Sequence, residues 1–263
     1  SSIEKVIKSS KQIEILRKSS LMSLISTTEW FISGLIHKYY QNYPKALGMR
    51  NKCFSLEEIK SFDSIEDAEN HLINTKVEEA TSGGFNDWVD FFKKTPKLSM
   101  GYLNNDKINE VFQRRNILVH NGGVVNSIYL SNVKTDLSKG DKAPINPIYI
   151  NNSIDIFELN FILLAAELWK KQEPKNDERS SILIELAIEH LKNNRYDIAK
   201  GFSYFVMKDK GLPEQSQLVG KINYWQSMKW QGNYDEIKSE IKNADFSAKS
   251  PKFQLGLLAL QEK

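Results

Sequence analysis

The sequence predicts an all-α protein in two parts, a helical bundle with a small loop or hairpin insertion followed by stacked helix pairs of the α-solenoid kind. Three observations carry that expectation. Apolar residues recur at three- and four-residue spacing through most of the chain. Proline and glycine stops fall between these stretches, at Pro44, Gly83-Gly84, Pro96 and Gly122-Gly123. Near the carboxyl end, Asn194-Arg195-Tyr196-Asp197-Ile198-Ala199 and Gly232-Asn233-Tyr234-Asp235-Glu236-Ile237 match in type, each between two helical segments.

The first helical pattern runs from about Ile7 to Tyr40 through Ile13, Leu16, Leu21, Leu24, Ile25, Ile32 and Ile36, as one long helix or as two broken near Ser19-Ser20. Ser64, with Asp67 three residues on, resembles a capping box opening a helix that lasts to Ser82-Gly83-Gly84. A shorter helix spans Asn86 to Lys94. The segment from Asn105 to His120 is helical and is closed by Asn121-Gly122-Gly123, whose glycines can take the left-handed conformation of a helix stop. Residues 124–152 depart from helical spacing and form an insertion, with Val124, Val125, Ile128 and Tyr129 followed by Gly140, Pro144 and Pro147. Helical spacing resumes at Ser153.

The polar, proline-containing stretch from Lys170 to Arg179 marks the boundary between a bundle at 1–172 and repeats at 181–263, with 173–180 as linker. Tyr196 and Tyr234 set the repeat register, and a third helix begins near Ser250-Pro251. Helix pairs at such an interval bury each open face on the next pair. The repeats end abruptly after two and a half units, so the native chain is expected to continue past Lys263.

Length and composition bound the rest. A chain of 263 residues can form two domains with cores of their own, and a hydrophobic share of 40% makes disorder unexpected over most of it. The single cysteine, Cys53, rules out an intrachain disulfide and a cysteine zinc cluster, which fits a reducing, cytoplasmic setting. The most apolar stretch, Phe161 to Trp169, is bounded and interrupted by Glu158 and Glu167, so no membrane span is expected. The start Ser1-Ser2-Ile3 lacks both an initiator Met and the layout of a secretory signal, and reads as a processed or expression-derived start. A net charge of +3 neither demands nor excludes nucleic acid.

One constellation could do chemistry. With Arg115 at zero on a helical wheel of about 100° per residue, Ile108, Val111, Phe112, Leu118 and Val119 fall within about 60° of it, which puts Arg115 in the middle of an apolar stripe. A guanidinium there must be paired or line a wet cavity. Asn109, Gln113, Asn116 and His120 lie along one edge of the stripe, and Asn116 and His120 are one turn apart. Arg115, Asn116 and His120 thus converge near the carboxyl end of a helix, whose dipole favours a protonated imidazole. A base for a ribose 2′-hydroxyl and a fixed fork of positive charge for a phosphorane are what phosphodiester cleavage needs without a metal. No Walker loop, Gly-x-Gly-x-x-Gly turn, His-Glu-x-x-His or Gly-x-Ser-x-Gly competes with it. A structural salt bridge for Arg115 is the plain alternative. Trp225, Trp230, Tyr224 and Tyr234 are expected to pack within the repeats rather than stack on bases. His37, His71 and His190 lack a partner pattern and are expected at the surface or at helix ends. Lys5, Lys8, Lys11, Arg17 and Lys18 form a basic start that either tracks a phosphate backbone or is a solvated face.

Residues 114 to 123, Arg-Arg-Asn-Ile-Leu-Val-His-Asn-Gly-Gly, resemble the signature of the HEPN superfamily: an arginine, a polar residue, a few more residues and a histidine near a helix end. The likeness extends to the helical layout over about residues 10 to 172, with Thr28-Glu29-Trp30-Phe31 in the long first helix. It implies a metal-independent endoribonuclease without cofactor, of the kind that serves bacteria as toxin or antiphage abortive-infection effector, dimerising so that two motifs share one cleft. It further implies Arg115 as phosphate contact, Asn116 as the positioning residue, His120 as acid and base, and a 2′,3′-cyclic phosphate product. Glu29, from its place amid apolar residues, either orients Arg115 or is a solvated surface carboxylate; Arg114 either lines the cleft or sits on a solvated face. The insertion departs from a minimal HEPN bundle. The repeats resemble tetratricopeptide repeats, which implies a protein partner on that region. The competing reading keeps the HEPN-like module as a non-catalytic nucleotide-binding or dimerisation unit, with the repeats as an adaptor.

Overall fold

The computed structural model describes residues 2–48 and 54–261, with side chains from residue 11 onward. Cys53 and the side chains of Lys5 and Lys8 lie outside the described residues. The chain forms two compact units, 1–160 and 161–263. Among the described residues there are α-helices, one short 3-10 turn and no strand. The all-α expectation therefore holds.

Unit 1 opens with α1 (Ser2–Asn42), which is unbroken at Ser19-Ser20. The serine and threonine hydroxyls donate back along the helix, Ser20 to the Leu16 carbonyl at 2.9 Å and Thr28 to that of Leu24 at 2.8 Å, so they interrupt nothing. Leu21, Ile25, Ile32 and Ile36 are fully buried at helical spacing, where α1 packs on α3 (Ile65–Thr81) and on α5 (Asn105–Asn121). Pro44 ends the run by opening a 3-10 turn, Pro44–Leu47. The complete capping box lies at Ser55 and Glu58, opening α2 (Leu56–Ser61), which the sequence reading missed. At Ser64 only half of the expected box forms: its hydroxyl accepts from the Asp67 amide, while the Asp67 carboxylate accepts from the Asp63 amide instead.

The short helix α4 (Phe85–Lys94) buries Phe85, Trp88, Val89 and Phe92. Phe85 stacks on Phe112 of α5 with centroids 5.6 Å apart, and Phe112 on Phe157 at 5.8 Å, so three rings pin the amino-terminal half of α5. Each such burial is worth roughly 2 kcal/mol. Gly122 at φ 60° and Gly123 at φ 84° end α5 in the left-handed region, as their lack of a Cβ allows.

The insertion is not a hairpin. It holds one antiparallel bridge, Val124 with Lys142, and a six-residue helix, α6 (Ser127–Asn132). Its own small core of Val125, Tyr129 and Ala143 packs on Ile117 of α5. Gly140 and the prolines leave too few consecutive extended residues for a ladder.

The helix α7 (Pro147–Gln172) starts earlier than the resumption expected at Ser153, and the division between units falls within it. By length and composition α7 is long and apolar enough to cross a membrane, which corrects the expectation that no segment is. Its polar groups nonetheless bond to protein: the Asn160 side-chain oxygen accepts from the Asn104 amide at 2.9 Å, at the start of α5.

Unit 2 continues with α8 (Glu178–Lys192), α9 (Tyr196–Lys208), α10 (Glu214–Trp230), α11 (Tyr234–Lys242) and α12 (Pro251–Gln261), each packed on its neighbours in sequence. Tyr196 and Tyr234, matched in the sequence, both begin helices. Asn194 at φ 59° and Gly232 at φ 90°, each two residues before its tyrosine, both take the left-handed turn that explains why this position is Asn or Gly. A Cβ on Gly220 would come 2.9 Å from the Ser203 carbonyl, so α9 and α10 touch backbone to backbone. Trp225 is fully buried with Met228, Ile237 and Phe253 around it, and Tyr224 and Tyr234 pack against them, whereas Trp230 is exposed. His190, expected at the surface or at a helix end, lies in the last turn of α8 but is buried there against the Phe202 ring.

Candidate functional site

The second half of α5 carries the candidate residues, and the structure exchanges the roles of its two arginines. Arg114, not Arg115, points inward. Its Nε donates to Glu110 Oε1 at 2.7 Å and Nη1 to the Pro144 carbonyl at 2.7 Å. Nη2 lies 2.6 Å from the same carboxylate oxygen and 3.3 Å from the Tyr129 hydroxyl. The Tyr149 ring lies under the guanidinium, 4.4 Å from its carbon. Glu110 in turn accepts from the hydroxyls of Tyr129 at 2.7 Å and Tyr149 at 2.9 Å. The network is closed, and it ties the 124–146 connection and the start of α7 to α5.

Electrostatics follow from that closure. Burial, and then the Glu110 carboxylate that accepts its hydrogen bond, push the Tyr129 phenol up to about 12, with Arg114 pulling the other way. Burial raises Tyr149 further still. Burial opposes the Arg114 charge, but Glu110, Tyr149 and Tyr129 together outweigh it, so Arg114 is held more firmly protonated than usual.

Arg115 is half-buried, and its Nη1 donates to the neighbouring Asn116 side-chain oxygen at 3.2 Å. No carboxylate pairs with it among the described residues. The expected stripe centred on Arg115 is thus corrected: the buried positions of α5 are Ile108, Val111, Phe112, Arg114 and Ile117, while Val119 is 51% exposed. The wheel counted only α5's own side chains, whereas Tyr129, Pro144 and Tyr149 arrive from the insertion and from α7 to cover the side where Arg114 lies. Glu29 is half-buried and makes no bond with Arg115, so the orienting role is not seen in this chain. His120 is exposed in the last turn of α5 and has no partner among the described residues.

Beside the end of α5 lies a groove of about 450 Å³, lined by α1 residues Glu14, Arg17 and Lys18, by Leu118 and the Gly122-Gly123 stop, and by Lys142 to Asn146. Lys18 pairs with Glu14 at 2.8 Å, while Arg17 has no ion pair among the described residues. Sequence reasoning flagged Arg17 and Lys18 but missed Lys142, which only the fold of the insertion brings to them. Among the described residues no three His, Cys, Asp or Glu side chains are gathered as metal ligands. Comparison with known proteins finds no matching family model, no similar curated protein and no similar solved structure.

Proposed function

We propose that the chain is a metal-independent endoribonuclease of HEPN type, with Arg115, Asn116 and His120 as its working residues. The observation that carries the reading is the contrast on α5: Arg114 spends its donors inside the protein, while Arg115 has no carboxylate partner among the described residues and lies beside Asn116, on the helix whose last turn holds His120. In the reaction a histidine takes the proton of a ribose 2′-hydroxyl, O2′ bonds to phosphorus, and the bond from phosphorus to O5′ breaks. The leaving O5′ takes a proton from a second imidazole, and the Arg115 fork holds the extra negative charge of the phosphorane. The products are a 2′,3′-cyclic phosphate and a free 5′-hydroxyl. A second copy of the chain supplies the second His120 in a homodimer. His120 has no orienting partner among the described residues, which leaves that copy or the RNA to orient it. A cytoplasmic toxin or antiphage effector is the biological role that fits this chemistry, with the tetratricopeptide-like repeats of unit 2 as the surface for a protein partner.

The same solitary His120 favours a second reading, a non-catalytic nucleotide-binding or dimerisation module with the repeats as adaptor. Incubation of the purified protein with total RNA in EDTA separates the two. The nuclease reading expects fragments ending in cyclic phosphate, and His120→Ala to slow their formation by about 10²- to 10⁴-fold with an unchanged melting temperature, since the side chain is exposed. Intact RNA, or cleavage that survives His120→Ala, removes the nuclease reading.

A further inference from the structure

The groove beside the end of α5 has a chemistry of its own. Arg17 from α1 and Lys142 from the end of the insertion both line it, and neither makes an ion pair shorter than 4 Å among the described residues. Lys18 stands beside them and is paired with Glu14, whose carboxylate also feels the Lys142 charge, so the groove carries three cations to one carboxylate. Its floor includes Leu118, which lies between Asn116 and His120 in the chain. On the helix surface Leu118 is about 60° to one side of Arg115, and Asn116 about 100° to the other. Leu118 thus lies between Arg115 and Arg114 around the helix, and a chain of phosphates held at Arg115 can pass it into the groove, whose lining includes the Pro144 that Arg114 holds.

We infer that this groove binds the phosphate backbone of single-stranded RNA flanking the cleaved bond, with Arg17 and Lys142 as its phosphate contacts. The choice of RNA rests on the nuclease reading above; the attraction for a phosphate chain rests on the groove alone. Each cation that neutralises a phosphate on a single strand contributes about 0.7 to the slope of log K against log salt. Glu14 works against binding twice over, by its own charge and by holding Lys18.

The test uses the full chain and a 2′-O-methyl RNA oligonucleotide, which lacks the attacking hydroxyl and cannot be cut. Its binding is followed by fluorescence anisotropy over a series of salt concentrations. Arg17→Ala with Lys142→Ala is expected to weaken binding at least tenfold and to flatten the salt slope by about 1.4. Glu14→Gln is expected to act the other way, tightening binding severalfold and steepening the slope by about 0.7; a gain of this kind cannot come from misfolding. The proposal is overturned if the wild type fails to bind at low salt, if the double variant keeps the wild-type affinity and slope, if Glu14→Gln weakens binding, or if duplex DNA binds as tightly with the same dependence on Arg17 and Lys142. Cleavage that survives His120→Ala leaves this measurement intact, so failure of the nuclease reading and failure of the groove are told apart.

Discussion

Each unit of the molecule buries an arginine against a carboxylate, and the two do it by different routes. In unit 1, Arg114 pairs one turn back along its own helix with Glu110, then collects Tyr129, Tyr149 and the Pro144 carbonyl from the connection that follows. In unit 2, Arg179 at the start of α8 pairs with Asp209 just past the end of α9 at 2.9 Å, and its two Nη groups also donate to the carbonyls of Glu173 and Pro174. The first tie holds a long irregular segment against a helix, and the second pins a helix start to a helix end. In both, an arginine facing inward is a fastening. Arg115 lies outside such a network.

Breaking the unit 2 tie is the harshest test of that contrast. Both side chains are 1% exposed, so Arg179→Ala strands the Asp209 carboxylate with only the Gly211 amide and the more distant Lys170 for company. A loss of about 3 to 5 kcal/mol in chemical denaturation is expected. Replacing both partners, Arg179→Met with Asp209→Leu, should recover much of it, because no unpaired charge is left buried. A single variant that costs less than 1 kcal/mol would mean the pair is not a fastening at all.

The unit 1 tie should yield less. Glu110 is partly exposed and keeps two tyrosine donors when the arginine goes, so Arg114→Met is expected to cost about 2 kcal/mol. The adjacent Arg115→Met should leave stability within about 0.5 kcal/mol while lowering RNA cleavage. Two neighbouring arginines would then separate into one that moves the melting curve and one that moves the rate; the opposite pattern would assign the phosphate contact to Arg114 instead of Arg115.

That separation was the part the sequence could not show. The long first helix, the glycine stop after His120 and the paired Tyr196 and Tyr234 turns were legible because they depend on spacing and on local backbone conformation. Which of Arg114 and Arg115 faces inward was not, because their positions on α5 differ by about 100° and the deciding partners lie 15 and more residues downstream at Tyr129, Pro144 and Tyr149. Lys142 escaped for the same reason: its place in the groove that Arg17 also lines depends on the bridge with Val124. His190 gave no outward sign of burial, since it is the neighbouring α9 that covers it with Phe202.

The mildest way to probe the unit 1 network is alkaline pH, which unit 2's pair of ions gives no reason to feel. The Tyr129 phenol is pushed up to about 12 from an ordinary 10.0, by burial first and then by Glu110. A phenol whose folded pKa lies above its unfolded value favours the folded state only while protonated. Its contribution is therefore whole below pH 10 and is lost as pH climbs through about 12. Tyr149 shifts in the same direction and adds to the effect. Stability measured by denaturant should fall over that interval, and Tyr129→Phe should flatten the fall by up to one proton, about 1.4 kcal/mol per pH unit. At neutral pH the same variant gives up the hydrogen bond to Glu110 and the longer one from Arg114, about 1 to 2 kcal/mol. An unchanged alkaline profile would show that Tyr129 ionises as freely in the folded chain as in the unfolded one, and the network would then be looser than the Arg179 tie in kind as well as in degree.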